Sequence, residues 1–471
     1  MTANPSTTSP GRRGETHGAA RGERRGALPT VLAVLAAVAL FVVAAVIGHH
    51  MQHRDGSIIL RWPPLYGYWD PHLGPGTPAA LTVAALVVAY GPPLARRLGW
   101  RPLVLAGWAA ALAWTWSLAL VDGWERGVVG RLQTRNEYLR SVDAVDALVP
   151  FLRDFAHHID ATAPDNWPAH VAGHPPGALL TFVALDRVGL GGGAWASTFC
   201  ITVGTSAVAA ALLTVRALGG ERLARRAAPF LTLAPAAVWW GASADAYFSA
   251  VAAWGVALLA LAATGSVRRP WLASLGAGLL FGLLCYLSYG LVLMAAVAGA
   301  VLLAARTARP VPWVLLGVAC WVVAFTAGGF WWYEGYSELV HRYYQGAAGI
   351  RPYGYFVWAN LASNVPVVGL ATVAALRHAA VAAPGAFRRL RHGPVTGVPE
   401  GLLLLVAGAV LALVCADLSG MSKAETERIW LPFTLWLLPA TALLPDRGRR
   451  GWLAAQAAVA LTVNHLLFTG W

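Results

Sequence analysis

Charge is scarce in this chain. Only 12% of its 471 residues are Asp, Glu, Lys or Arg, against a hydrophobic share of 57%. A soluble domain carries about twice that charge fraction, so a water-soluble globular body is excluded. Cysteine is also sparse. Cys200, Cys285, Cys320 and Cys415 all sit in apolar runs, and no CxxC or metal spacing links them. They read as buried packing residues, not as a disulfide framework or thiolate metal site. Short segments of alternating polarity are missing, which excludes a membrane β-barrel. No internal repeat of the kind that marks many transporters is visible. Lysine is nearly absent: Lys423 stands alone among arginines.

What is abundant is apolar sequence in runs near the roughly 17–25 residues that cross a bilayer as a helix. About thirteen candidate spans follow from the length rule, near 28–48, 77–95, 102–121, 194–216, 228–241, 243–264, 271–288, 290–305, 311–329, 357–376, 400–418, 429–444 and 451–470. Lipid cannot satisfy open backbone groups, so the expected body is an all-α polytopic membrane protein. The stretch 1–27 is rich in Gly, Arg, Ser and Thr and reads as a disordered basic cytoplasmic tail. The transmembrane domain then runs over 28–471, with an external loop, 122–193, inserted in it.

The arginines decide the orientation. With the tail inside and the short run 177–190 left uncounted, the clusters at 96–101, 222–226, 268–269 and 306–309, the "RHAAVAAPGAFRRLRHG" loop and "DRGRRG" all fall inside, as the positive-inside rule requires. This also accounts for the net charge of +13 without invoking nucleic acid. The segments left outside are 49–76, 122–193, "GASADAYF", "YLSYG", "WWYEGYSELVHRYYQGAAGIRPYGYF" and "DLSGMSKAETER". They hold most of the acids and the Trp-Tyr clusters, so the functional face is expected to be external.

Candidate chemistry collects there. Asp122 ends a span, and Glu137 stands beside an aromatic in "RNEYLRSVD". Apolar residues from 136 to 158 recur near helical spacing, which predicts an amphipathic helix on the bilayer surface. "HVAGHPPGALL" follows. Its Pro175 and Pro176 can start a helix, and its His170 and His174 are candidates for a substrate pocket. A zinc site with His157, His158 and Asp160 is the weaker alternative. Asp245 lies in a tight outer turn, where an acid near lipid must be wet or paired. Lys423 and Arg428 are outside against the charge rule, and such a positive pair suits a phosphate. Glu425 and Glu427 beside them allow a plain salt-bridged loop instead. Arg342 and Arg351 could serve as the pair does. Tyr289, Trp332 and Glu334 are further candidates, their aromatics being able to stack on sugars or to form an interfacial belt.

The order of "NEYLRSVD" and "HVAGHPPGALL" in a long loop resembles the GT-C superfamily of integral membrane glycosyltransferases, in particular protein O-mannosyltransferase and aminoarabinose-transferase relatives. The chain is also similar to integral membrane proteins of actinobacteria, with "SADA", "LSYG" and "SKAETERIWLPF" as landmarks. The resemblance covers about residues 100 to 190, and the remainder only by topology. Asn136 stands where the family pattern has its first acid, and two spans precede the one that leads into the loop, where the family usually has that one alone. The resemblance implies transfer of a sugar from a polyprenyl-phosphate donor to a glycan, lipid or protein acceptor. Asp122 or Glu137 would be the general base, with cationic side chains at the departing phosphate. It implies no organic cofactor and leaves a divalent metal open. A transporter or flippase and a non-catalytic envelope assembly protein are the alternatives.

Overall fold

A computed structural model describes residues 12–392 and 398–470, with side chains from 28 to 388 and from 399 to 470. Residues 1–11 of the expected tail lie outside the described residues. The first helix, Arg12–Asp55, begins upstream of its apolar part at Leu28.

The chain is an all-α polytopic membrane protein, but not one of thirteen full spans. Eight described helices are long and apolar enough to cross a membrane: Leu28–Asp55, Thr77–Arg97, Trp100–Asp122, Gly192–Gly219, Ala244–Ala263, Pro270–Leu287, Leu370–Arg388 and Pro399–Leu418. A ninth arises if Val311–Ala327 and Trp332–Gln345, bent by 76° at their junction, count as one. The remaining apolar runs are too short, are broken or, as in Arg449–Leu466, are too polar. The run 228–241 splits between Glu221–Thr232 and Ala237–Trp240. The run 429–444 becomes two single-turn helices and a 3₁₀ segment. Apolar content made these runs look like spans, while their prolines and turns cut the helical length.

Lipid supplies no hydrophobic drive between helices, so close backbone approach must replace it. Helices Pro270–Leu287 and Val311–Ala327 show this. A Cβ on Gly278 would collide with the Val314 carbonyl, and one on Gly317 would strike the Gly278–Leu279 backbone. Helix Ala244–Ala263 is buried over most of its length. The first helix instead exposes Leu28, Leu32, Leu35, Val42 and Val46, an apolar face of the kind that meets lipid. Cys320 and Cys415 lie on the exposed surface and not in the core, where only Cys200 is fully buried.

The long loop is folded but is not the expected amphipathic helix. Residues 136–158 form a 3₁₀ turn at Tyr138–Ala144, a short helix at Leu148–Asp154 and another 3₁₀ turn at Phe155–His158. The apolar spacing still does its work: Tyr138, Val145, Leu152 and Phe155 are all buried. After the Pro-Pro pair, helix Pro176–Arg187 is only 12 residues long. Gly177 lies where a Cβ would come within 2.5 Å of the Tyr286 carbonyl, so the residue after the prolines lets this helix press against the end of Pro270–Leu287. Helix Trp332–Gln345 closes over the loop, where Gln345 Nε2 donates to Asp160 at 3.1 Å and Arg342 to Asn166 at 3.4 Å. Among the described residues a single pair of strands, Gly67–Trp69 and Leu467–Thr469, runs antiparallel and ties the segment after the last helix to the segment after the first.

Candidate functional site

Four segments far apart in sequence meet at the loop end of the bundle. Glu137 precedes the Tyr138–Ala144 turn and His170 sits in the short helix Ala169–Ala172. Asp245 starts helix Ala244–Ala263, and Arg428 lies in the turn Thr426–Ile429. His170 Nδ1 lies 2.8 Å from Glu137 Oε1. Its Nε2 lies 3.4 Å from Arg428 Nη2. Arg428 Nη1 lies 3.1 Å from Asp245 Oδ2, and Nη2 lies 3.8 Å from Glu425. The imidazole of His170 thus stands between the Glu137 carboxylate and the Arg428 guanidinium, with one ring nitrogen toward each.

Burying such groups costs several kcal/mol each unless every charge is matched. Side chains of Glu137, Asp245 and Arg428 are at most 6% exposed. Burial alone would raise the Glu137 pKa, but the contact with His170 and the charge of Arg428 outweigh it and hold the carboxyl below its ordinary value. Burial likewise opposes the charge on Arg428, and Asp245, Glu137 and Glu425 overcome it. Glu137 Oε2 is buried and has no hydrogen-bond partner among the described residues. His174 donates from Nδ1 to the His170 carbonyl at 2.7 Å and stands between Tyr138 and Phe248. Burial pulls its pKa down to about 4, so the ring is neutral.

The other expected site residues are distributed differently. Asp122 belongs to a separate cluster. Its carboxylate meets Arg131 at 2.9 Å, His72 at 3.1 Å and Arg126 at 3.7 Å. Lys423 and Arg428 do not form a phosphate-facing pair. Lys423 Nζ donates to the Ala348 carbonyl at 2.8 Å, whereas Arg428 turns inward. Arg351 is a brace whose donors reach the carbonyls of Ile58, Ile59 and Lys423 at 2.8–3.2 Å. Glu427 Oε1 accepts from the Tyr66 amide at 2.6 Å, and burial lifts its pKa to about 7. Trp332 and Tyr289 pack edge to face, and Trp332 donates to the Cys285 carbonyl at 2.9 Å; they form an aromatic cluster and not an open platform. Glu334 is exposed and Arg342 spans to Asn166, so neither joins the network. Among the described residues no group of three His, Cys, Asp or Glu could hold a metal. In the weaker zinc alternative, His158 contacts the Asp165 carbonyl, and Asp160 meets Thr162 and Gln345.

Two hollows lie in this part of the molecule. One is polar, about 390 Å³, and is lined by Gln52, Arg61, Tyr66, Tyr68, Arg351 and Glu425 among others. It touches the network through Glu425. The second, about 480 Å³, is almost wholly apolar and runs along helix Pro176–Arg187 past Leu180, Phe199, Leu283 and Phe325. Its wall includes Gly177 and Tyr247, close in sequence to His174 and Asp245. Arg61 was missed in the sequence. It stacks over Tyr68 at 4.9 Å and forms no ion pair among the described residues. The signal was there, since Arg61 breaks the charge rule in the 49–76 segment just as Lys423 does further on.

No family model matches the chain, and no curated protein matches it.

Proposed function

We propose that this protein transfers a sugar from a polyprenyl-phosphate donor to an acceptor hydroxyl at the outer face of the cytoplasmic membrane, with Glu137 as general base. The observation that carries the reading is the Glu137 carboxylate. It is buried, its Oε1 is fixed by His170, and its Oε2 has no partner among the described residues. A carboxylate held this way has one oxygen oriented and one available to take a proton.

In the step proposed, the acceptor hydroxyl gives its proton to Glu137 Oε2 as its oxygen bonds to the anomeric carbon. The bond from that carbon to the donor phosphate breaks, and its electron pair leaves with the phosphate. Guanidinium charge offsets what develops there, from Arg61 on the polar hollow and from Arg428 behind it. The apolar hollow supports a lipid-linked donor, since it offers a prenyl chain a groove along the helix that starts at Pro176, two residues after His174. The GT-C resemblance of the "NEYL" and "HPPG" stretches points the same way. The sidedness rests on charge: helix Ala244–Ala263 has Asp245 at one end, with Arg268 and Arg269 just past the other, and arginine clusters mark the cytoplasmic end.

The test is a mass-spectrometric profile of envelope glycans and glycolipids. It compares wild-type cells, cells lacking the protein, and the latter complemented with wild type or Glu137→Gln at equal abundance. One sugar is expected to disappear on deletion, return with wild type and stay absent with the variant. Full restoration by Glu137→Gln would refute the general-base role and favour the assembly-protein alternative.

A further inference from the structure

A cavity of about 490 Å³ lies at the opposite end of the bundle, between the end of helix Thr77–Arg97, helix Glu221–Thr232 and the start of helix Arg449–Leu466. Five arginines line it: Arg96, Arg222, Arg225, Arg226 and Arg449. Two acids, Glu221 and Asp446, line it as well, and both are already taken. Arg225 holds Glu221 at 2.6 Å, and Arg226 pairs with Asp446. Arg449 meets only carbonyls, those of Thr441, Leu444 and Arg226, and lies over the Phe230 ring at 5.3 Å. Arg96 and Arg222 are exposed and form no ion pair among the described residues.

The cavity therefore carries three guanidinium charges beyond its own acids. Its floor is not polar, since Pro92, Pro229 and Phe230 complete it. A rim of arginine over an apolar floor suits an amphiphile with a phosphate head, because guanidinium donors match phosphate oxygens two at a time. Depth agrees. Thr77, at the far end of the first of these helices, meets His465 near the end of the last, at 2.9 Å. From Thr77 to Arg96 the helix rises about 28 Å, close to the thickness of a bilayer's hydrocarbon core, roughly 30 Å. The arginines thus stand at the headgroup level of the leaflet opposite the Glu137 network.

We propose that this cavity is a binding site for the phosphate of a lipid in that leaflet. The inference does not depend on the glycosyl-transfer reading. It differs from general positive-inside charge in that the arginines surround a hollow. Arg268 and Arg269 are equally exposed at the same end but do not line it, and they provide the control.

The full chain is purified and its bound lipid counted by native mass spectrometry while dioleoylphosphatidylglycerol or dioleoylphosphatidylcholine is titrated in. The wild type is expected to retain the anionic lipid selectively. Arg96→Gln/Arg222→Gln is expected to weaken that retention roughly thirtyfold, the share of two arginines near an anionic headgroup. Arg268→Gln/Arg269→Gln should leave it intact. Both pairs are at the surface, so folding is preserved and is checked by the melting temperature. Equal weakening by both pairs, or no preference over phosphatidylcholine, would overturn the site. Inorganic phosphate tested alone separates the sources: protection by millimolar phosphate that Arg96→Gln/Arg222→Gln abolishes would support the phosphate site and assign it a soluble ligand.

Discussion

Two buried carboxylates at the loop end of the bundle, Asp122 and Glu137, look equivalent in the sequence and are used differently in the fold. Around Asp122, Arg131 takes one oxygen, while His72 and Arg126 face the other. Arg131 also donates to the Thr469 carbonyl and, like Arg126, stacks on Phe468. The cluster therefore fastens the chain's last strand to the start of the long loop. Glu137 has one partnered oxygen and one unpartnered oxygen, and it faces a relay that ends at Asp245. Each acid keeps one buried oxygen without a hydrogen bond among the described residues, but Asp122 has two arginines and a histidine within 4 Å, while Glu137 is paired with a histidine. Neither count is visible until the fold brings the partners in.

The largest expected effect breaks this comparison at Glu137. Glu137→Gln keeps the shape and a carbonyl oxygen for His170 but removes the proposed base. Glycan transfer is expected to fall by about 10²–10⁴-fold, the range for a positioned general base, with little change in melting temperature. Transfer in isolated membranes measures it. The reverse substitution sharpens the contrast. Asp122→Asn leaves Arg131 buried without its counter-charge, a loss of about 3–5 kcal/mol. The expected signature is a lower melting temperature with substantial transfer by the molecules that remain folded. If Asp122→Asn abolished transfer at full stability while Glu137→Gln retained it, the roles of the two acids would be exchanged.

A smaller effect separates the network from the rest of the molecule by pH. The His174 pKa is drawn down to about 4 from 6.5 by burial, so the unfolded chain takes up a proton that the folded site refuses. Stability is complete above pH 6.5 and is lost as pH falls toward 4, by as much as about 3 kcal/mol. His174→Gln removes that loss. The variant's melting temperature, compared with wild type at pH 7 and pH 5, is expected to improve on acidification. An unchanged difference between the two pH values would mean that His174 is not held neutral.

Much of this was legible in the sequence, and the boundary has physical causes. The long apolar runs specify helices in lipid whatever surrounds them. The Pro-Pro pair specifies a helix start, and Pro176 does open helix Pro176–Arg187. Glu137 and His170 could be named because they flank one loop. Their partners Asp245 and Arg428 could be named only one at a time: 183 positions separate them, and their 3.1 Å contact depends on how the helices pack. Apolar periodicity also overstated order. The spacing over 136–158 is met by short 3₁₀ and α pieces that bury Tyr138, Val145, Leu152 and Phe155 but leave Leu148 and Val149 exposed, so part of the apolar set is buried and the continuous helix does not form. Arg351 shows the limit for surface cations. Its charge and aromatic neighbours suggested a ligand, and the fold uses most of its donors on carbonyls.

The last expected effect concerns Glu427, whose sign is opposite to that of His174. Burial lifts its pKa from 4.5 to about 7, although its Oε1 accepts from the Tyr66 amide. The folded state therefore keeps the proton that the unfolded chain releases. Stability from this group is complete below pH 4.5 and is lost as pH rises through about 7. Glu427→Gln keeps the acceptor for Tyr66 and removes the titration, so its melting temperature should gain on wild type between pH 5 and pH 8. The gain should match the His174→Gln effect in size, because the two groups are displaced equally far from their ordinary values. A loss between those pH values would show that the Glu427 carboxylate is stabilised by a charge in the fold, and would make it a third acid with a partner of its own.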